Sequence, residues 1–280
     1  MLPPLPLLDR FVLDWLAEDI GFTDRTTQSL VWQNEQSLAR WILKAPGVIC
    51  GLTIAERVFH LLDPACQFKS LVKEGEWQNP GKVICTIEGK TAALLTAERV
   101  ALNNVMRLSG ISTTTYILAD QIKDLPTQLV DTRKTTPGLR FLEKYAVLVG
   151  GGKNHRSRLD EAVMIKDNHI QAVGSITAAV HQVRRYLPIT TTIEVETETI
   201  EQVKEAIPLH IDIIMLDNMD QQTMKEAISM IRRQSPHTKI EASGNITIDN
   251  IRSVAELGVD YISTSAMVTR SGWLDISMRF

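Results

Sequence analysis

The chain has 280 residues, 44% hydrophobic and 22% charged, a composition that suits one large or two unequal globular domains and excludes disorder. A formal net charge of −3 excludes a general nucleic-acid binder, which needs a basic face. No apolar run approaches the roughly 20 residues of a membrane helix, and three cysteines without a CxxC pair read as reduced thiols in a cytoplasmic protein.

The opening MLPPLPLLDR is broken by Pro3, Pro4 and Pro6 and reads as an extended arm, lacking the charge and cleavage pattern of a signal peptide. Phe11 to Glu18 has helical spacing, Asp19-Ile20-Gly21 ends it, and Thr23 to Thr27 reads as a polar turn. Ser37 to Leu43 alternates like a strand, Pro46-Gly47 turns, and Val48 to Gly51 resumes. Thr53 to Leu62 reads as a helix closed by Asp63-Pro64. Phe68 to Val72 and Val83 to Ile87 are strands, with Asn79-Pro80-Gly81 as a turn between them. Thr96 to Leu108 reads as a helix ended by Gly110. These elements predict a small α+β domain over residues 1–109, to which the tail 267–280 returns.

From residue 110 to 266 the rhythm changes. Apolar runs end in polar residues: Leu129-Val130 before Asp131, Val163 to Ile165 before Lys166, and Ile193 to Val195 before Glu196. Ile211 to Leu216 precedes Asp217, Ile240 to Ala242 precedes Ser243, and Val259 to Ile262 precedes Ser263. Helical patterns fall between them, over Gly138 to Val149, Ile176 to Tyr186, Ile200 to Ala206, Gln221 to Arg233 and Thr247 to Leu257. Buried parallel strands alternating with helices mean a barrel or a doubly wound sheet, and both bind ligands at the carboxyl ends of the strands. Six runs fall short of the eight of a complete barrel, so the expectation is an incomplete α/β barrel beside a smaller α+β sandwich domain.

The densest chemistry lies between Asp131 and His169: DTRKTTPGLR, GGGKNHR and IKDNH bring Arg133, Lys134, Arg140, Lys144, Lys153, Arg156, Arg158 and Lys166 into one stretch. Any one of these cations alone reads as a surface ion pair to Glu143, Asp160 or Asp167. Gathered at consecutive strand ends beside three glycines, they suit a small, multiply charged anion, because guanidinium matches carboxylate or phosphate in two parallel hydrogen bonds. Lys166 holds an anion or, with a depressed pKa, forms a Schiff base; the simpler role is pairing with Asp167 or Glu196. His155 and His169 accompany no HExxH motif or Cys/His cluster, which argues against a transition-metal site. Glu196 and Asp217 end neighbouring strands, where two carboxylates hold sugar hydroxyls or a hard divalent ion, or balance Lys134 and Lys166. Ser243-Gly244-Asn245 and Thr264-Ser265-Ala266 end the last two strands, where backbone N–H groups ahead of helices bind phosphate.

With these motifs in view, the chain resembles the quinolinate phosphoribosyltransferases. EDIGFTDRTT, GVICGL and LLTAERVALNNVMRLSGIST carry the resemblance in the first part; DTRKTTPGLR, GGGKNHR, IKDNH, IEVE, IIMLDNM and EASGNIT carry it in the second. The resemblance implies transfer of phosphoribosyl from phosphoribosyl pyrophosphate to quinolinate with decarboxylation, giving nicotinate mononucleotide, pyrophosphate and carbon dioxide in NAD synthesis. It also implies Mg²⁺, a two-domain fold, and a homodimer with shared active sites, a hexamer being the larger alternative. Matched by motif, Thr132, Arg133, Lys134, His155, Arg156 and Lys166 line the quinolinate pocket and adjoining anion sites. Glu196 and Asp217 lie near ribose and metal, and Lys134, Lys166, Glu196 and Asp217 form the catalytic group. Ser243, Gly244, Asn245, Thr264, Ser265 and Ala266 form the phosphate loops, and Arg99 reaches in from the partner subunit.

Two positions depart from the family pattern, which has SGG where Ser243-Gly244-Asn245 stands and glycine in place of Ser265. Asn tolerates positive φ and both side chains donate hydrogen bonds, so phosphate binding is expected to survive. Other readings are a relative that uses nicotinate, the pyrophosphorylase-like protein encoded with molybdate transporters, a Schiff-base aldolase built on Lys134 or Lys166, and a non-catalytic phosphate-binding module.

Overall fold

The computed structural model describes residues 2–30 and 35–280, and the chain divides into two compact units. In chain order the elements begin with α1 (Leu5–Ile20), α2 (Arg25–Leu30), β1 (Gln36–Leu43), β2 (Gly47–Val48), α3 (Leu52–Leu62), β3 (Gln67–Ser70), β4 (Trp77–Gln78), β5 (Val83–Lys90) and α4 (Thr91–Asp120). They continue with β6 (Gln128–Val130), α5 (Arg140–Val149), β7 (Val163–Ile165), α6 (Asp167–Val173), α7 (Ile176–Arg184), β8 (Ile193–Thr197) and α8 (Ile200–Ala206). After a 3-10 turn at Ile207–Leu209 come β9 (Ile213–Asp217), α9 (Gln221–Gln234), β10 (Lys239–Ser243), α10 (Ile251–Ala255), β11 (Tyr261–Ser263), α11 (Ala266–Thr269) and β12 (Ile276–Arg279).

The first unit comprises Met1–Tyr116, Thr136–Gly151 and Arg270–Phe280. Its antiparallel sheet runs β12-β1-β5-β3. The alternation read from Ser37 to Leu43 buries Ala39, Trp41 and Leu43 on one face of β1, and Trp41 packs against Phe59 of α3 and Phe68 of β3 at ring-centroid distances of 6.0 and 6.3 Å. β12 joins this sheet, pairing Ile276 with Leu43 and Arg279 with Arg40.

Three expectations for this unit are corrected. The amino-terminal segment is helical from Leu5, not an extended arm: Pro4 is the N-cap and Pro6 lies in the first turn, where a missing N–H costs nothing. The polar segment expected as a turn leads into α2, because Asp24 accepts the Thr27 N–H at 2.9 Å. Gly110 does not end α4, which runs on to Asp120. A Cβ at Gly110 would sit 1.8 Å from the Gly272 carbonyl oxygen, so this glycine serves a close approach. Beyond it, the hydroxyls of Thr113, Thr114 and Thr115 donate to the carbonyls four residues back at 2.7–3.0 Å, which satisfies these polar groups within the helix. Residues 110–116 and 136–151 consequently group with the first unit, although the sequence reading gave the second domain everything from 110 to 266.

The second unit, Ile117–Thr135 and Gly152–Thr269, holds a parallel sheet in the order β6-β11-β10-β9-β8-β7 with helices between the strands. Among the described residues no ladder joins β6 to β7, so the α/β barrel is incomplete. All six expected strands are present, β7 with the expected bounds and the others with ends shifted by at most two residues; α10 is shorter than the stretch Thr247 to Leu257, and α6 and α11 have no counterpart in the sequence reading. Strand pleating sets the chemistry. Side chains two residues apart share a face, so Glu194 and Glu196 of β8 point one way while Ile193, Val195 and Thr197 point the other. The same parity pairs Met215 with Asp217 on β9 and Glu241 with Ser243 on β10.

Candidate active site

At the carboxyl ends of these strands lies a cavity of about 520 Å³. Thr132, Arg133, Lys134, His155, Arg156, Lys166, Glu196, Asp217, Ser243, Gly244, Asn245, Thr264 and Ser265, all singled out by sequence, line it together. Two expected residues do not. Ala266 is the first residue of α11 and donates its N–H to the Thr264 hydroxyl at 3.1 Å. Arg99 sits on α4 of the first unit, with its side chain 57% exposed and 3.9 Å from Glu98.

The long cationic run is divided by the fold. Arg133, Lys134, Arg156 and Lys166 line the cavity. Arg140 and Lys144 fall on α5 in the first unit, Lys153 bridges to Val130, and Arg158 pairs with Asp160 at 3.1 Å. Glu143, one proposed countercharge for the cluster, is instead held by Arg107 at 2.8 Å.

Lys166 follows β7 and caps α6, its ammonium 2.5 Å from Glu196. Turn geometry presents Arg133 and Lys134: the Lys134 N–H donates to the Thr132 hydroxyl at 3.0 Å and the Thr135 N–H to the Arg133 carbonyl at 3.0 Å. Arg156 donates through Nη1 to the Ala162 carbonyl at 2.7 Å, while its buried Nε has no hydrogen-bond partner among the described residues. Burial, then the neighbouring Arg133, weakens this guanidinium's hold on its proton, and Glu194 opposes them.

The loop after β10 depends on two left-handed residues. Gly244 has φ +94°, and a Cβ there would lie 2.1 Å from Asn218 Oδ1; Asn245 follows at φ +52° and donates from Nδ2 to the same oxygen at 3.2 Å. Asparagine thus occupies the conformation that glycine would. Asn218, missed by the sequence reading, also has positive φ and donates to Asp217 at 2.7 Å. Its place after the apolar run of β9 was the available clue.

The largest omission is the pair of acids that meet His155, Glu194 and Glu241. His155 Nε2 lies 2.9 Å from Glu194 Oε2 and 3.5 Å from Glu241 Oε2. Asp131, also buried, accepts the His155 N–H and the Asn154 side chain, each at 2.7 Å. The Arg156 N–H donates to His155 Nδ1 at 2.8 Å. Burial works against a charged imidazole, but hydrogen bonds and charge from Glu194 and Glu241 prevail and push it up to about 10. Full protonation must break the Nδ1 contact; two adjacent carboxylates outweigh that one neutral bond. The 2.9 Å separation is a hydrogen-bond distance, shorter than the roughly 3.3 Å between ligands of a tetrahedral ion. Glutamates in apolar strand sequence were the signal: Glu194 and Glu241 each sit one residue inside a buried run.

The two segments of the chain match known proteins in order. Residues 24–109 match the model of the quinolinate phosphoribosyl transferase N-terminal domain, and residues 111–279 match that of its C-terminal domain. The chain is 54% identical over 278 residues to a probable nicotinate-nucleotide pyrophosphorylase (carboxylating) of Synechocystis, covering 99% of this chain and 94% of that protein. A Bacillus subtilis protein of the same description is 43% identical over 273 residues, 97% of this chain and 91% of the other. The crystal structure of NadC from Streptococcus pyogenes shares the fold with a TM-score of 0.95 at 39% identity, covering 100% of this chain and 98% of that one.

Proposed function

The chain belongs to the quinolinate phosphoribosyl transferase family and, as a pentosyltransferase of NAD synthesis, converts quinolinate and phosphoribosyl pyrophosphate to nicotinate mononucleotide, pyrophosphate and carbon dioxide; we propose that the cavity at the barrel strand ends is where it does so. The observation that carries this assignment is the gathering of Arg133, Lys134, Arg156 and Lys166 with two strand-end loops in one cavity of a protein whose net charge is −3.

In this reading Arg133, Lys134, His155, Arg156 and Lys166 hold the two ring carboxylates and adjoining anions. Glu196 and Asp217 face the ribose, and the loops at Ser243–Asn245 and Thr264–Ala266 take phosphate. The ring nitrogen forms a bond to the ribose carbon as the bond to pyrophosphate breaks, and pyrophosphate leaves with the electron pair. Fixed cations stabilise that leaving charge because they stand in place before it develops. The carboxylate next to the ring nitrogen then departs as carbon dioxide, its bonding electrons remain on the ring carbon beside the positive nitrogen, and that carbon takes up a proton. No side chain forms a covalent bond, so positioning carries the catalysis. Lys166 is engaged by Glu196 at 2.5 Å, whereas a Schiff-base aldolase needs a lysine nitrogen free to attack a carbonyl.

Mg²⁺ belongs to this proposal. Carboxylate oxygens of Glu196, Glu198 and Asp217 come within 4.8 Å of one another, an all-oxygen set that suits a hard divalent ion. Bound there with the donor, the ion would neutralise pyrophosphate charge. A homodimer, with Arg99 reaching the partner's cavity, completes the proposal, as does a reducing cytoplasm, which the free thiols of Cys50, Cys66 and Cys85 suit. No helix among the described residues is long and apolar enough to cross a membrane.

The test supplies donor, Mg²⁺ and either quinolinate or nicotinate. Quinolinate should release carbon dioxide and pyrophosphate one to one; faster turnover of nicotinate without carbon dioxide would overturn the reading. For the shared site, Arg99→Ala and Lys166→Ala should each be nearly inactive, and their heterodimer should regain one working site. Verified heterodimers without recovery would refute it.

A further inference from the structure

Glu194 and Glu241 belong to none of the roles above. Their side chains are 3% and 1% exposed, while that of His155 is 14% exposed. Glu194 lies behind His155 and outside the cavity lining, whereas Glu241, though buried, borders the cavity beside the imidazole. Both acids direct Oε2 at one ring nitrogen, and Oε1 of each is buried with no hydrogen-bond partner among the described residues. A purely structural cluster would close those bonds, since leaving a buried acceptor unsatisfied is costly. Two carboxylates this close also repel, unless a positive charge lies between them.

We propose that Glu194 and Glu241 are positioning residues for dicarboxylate capture: paired on one nitrogen of His155, they hold it as a cation and orient its ring, so that an incoming anion meets a charge-balanced cluster with the imidazolium at the cavity wall. The proposal rests on the quinolinate reading of this cavity. Titratable and charged groups around His155 are Glu194 of β8, Glu241 of β10, Asp131 after β6, and Arg156 beside it with Arg133 near that guanidinium. A slack ring would thus loosen one member of the carboxylate clamp.

The sign of the effect separates this role from a simple field. Removing a negative charge near an anion site should tighten anion binding if the acids act only through their own charge. Here removal should weaken it, because the nearer positive charge is lost with them. Glu194→Gln, Glu241→Gln and the double variant keep the shape and drop the charge. The double variant should raise the quinolinate KM by about ten-fold, the order expected for losing one charged hydrogen bond, while the donor KM stays within about two-fold. In the free enzyme, imidazole nitrogen shifts assigned against His155→Gln should show a cationic ring at about pH 8, above the ordinary histidine value, and a neutral ring in the double variant. A neutral ring in the wild type, or a quinolinate KM that stays level or falls in the variants, overturns the proposal. Should the double variant fail to fold, the two single variants carry the same test. Wild-type carbon dioxide release in the same assay separates failure of the parent reading from failure of this one.

Discussion

Glu143 and the Glu194–Glu241 pair are all buried carboxylates, yet their surroundings differ. Glu143, with its side chain 0% exposed, accepts Arg107 at 2.8 Å through Oε1, the Thr136 hydroxyl at 2.9 Å and the Thr136 N–H at 2.8 Å through Oε2. Among the described residues, each acid of the pair leaves one oxygen without a partner. Both arrangements carry the cost of burying charge, but only the first is closed by its own protein groups. A closed network fixes a fold; an open one beside a cavity leaves interactions to a ligand or to a group that faces one.

Breaking the closed site should have the largest effect. Arg107→Ala leaves Glu143 buried and uncompensated and should cost about 3–5 kcal/mol of stability in urea unfolding, with no selective change in quinolinate KM. A loss confined to KM would mean that Glu143 does not differ in kind from the cavity acids. Arg156→Ala should do the reverse. Calorimetry should show quinolinate binding weakened by about 2–5 kcal/mol, with unfolding little changed; wild-type affinity would put this side chain outside the pocket.

Next in size is Gly244→Ala. Positive φ costs an alanine about 1–2 kcal/mol, and the clash with Asn218 adds to it, so the donor KM should rise before the quinolinate KM does. Equal increases in the two would show that the loop serves the whole cavity. The smallest effect belongs to an exposed pair. Arg99→Ala should alter unfolding free energy by no more than about 1 kcal/mol, since its 3.9 Å contact with Glu98 lies in solvent. A larger loss would reveal a structural role for this arginine.

These contrasts also mark what sequence could convey. Strand ends were legible because each apolar run of the barrel stops at a residue that cannot be buried cheaply, as at Lys166 and Asp217. The cavity's cations were legible because Arg133, Lys134 and Arg156 lie close along the chain. His155, Glu194 and Glu241 meet across three separate segments; a glutamate inside an apolar run signals a buried acid, but nothing local tells which histidine it meets. Gly110 misled for a different reason. Glycine both ends helices and lets backbones approach, and only the Gly272 carbonyl, 162 positions later, separates the two uses.

The parity of β8 makes that strand sensitive to its length as well as its composition. Glu194 and Glu196 face the cavity side from alternate positions, one beneath the floor and one at the rim. Deleting or inserting a single residue upstream within the strand would turn Val195 or Thr197 inward and send acids into the layer packed by helices. Substitution can tune this strand one side chain at a time, whereas a change of one in its length disables floor and rim together. Additions to the second unit are therefore expected in its connecting loops, where the count of residues between strand ends carries no such phase.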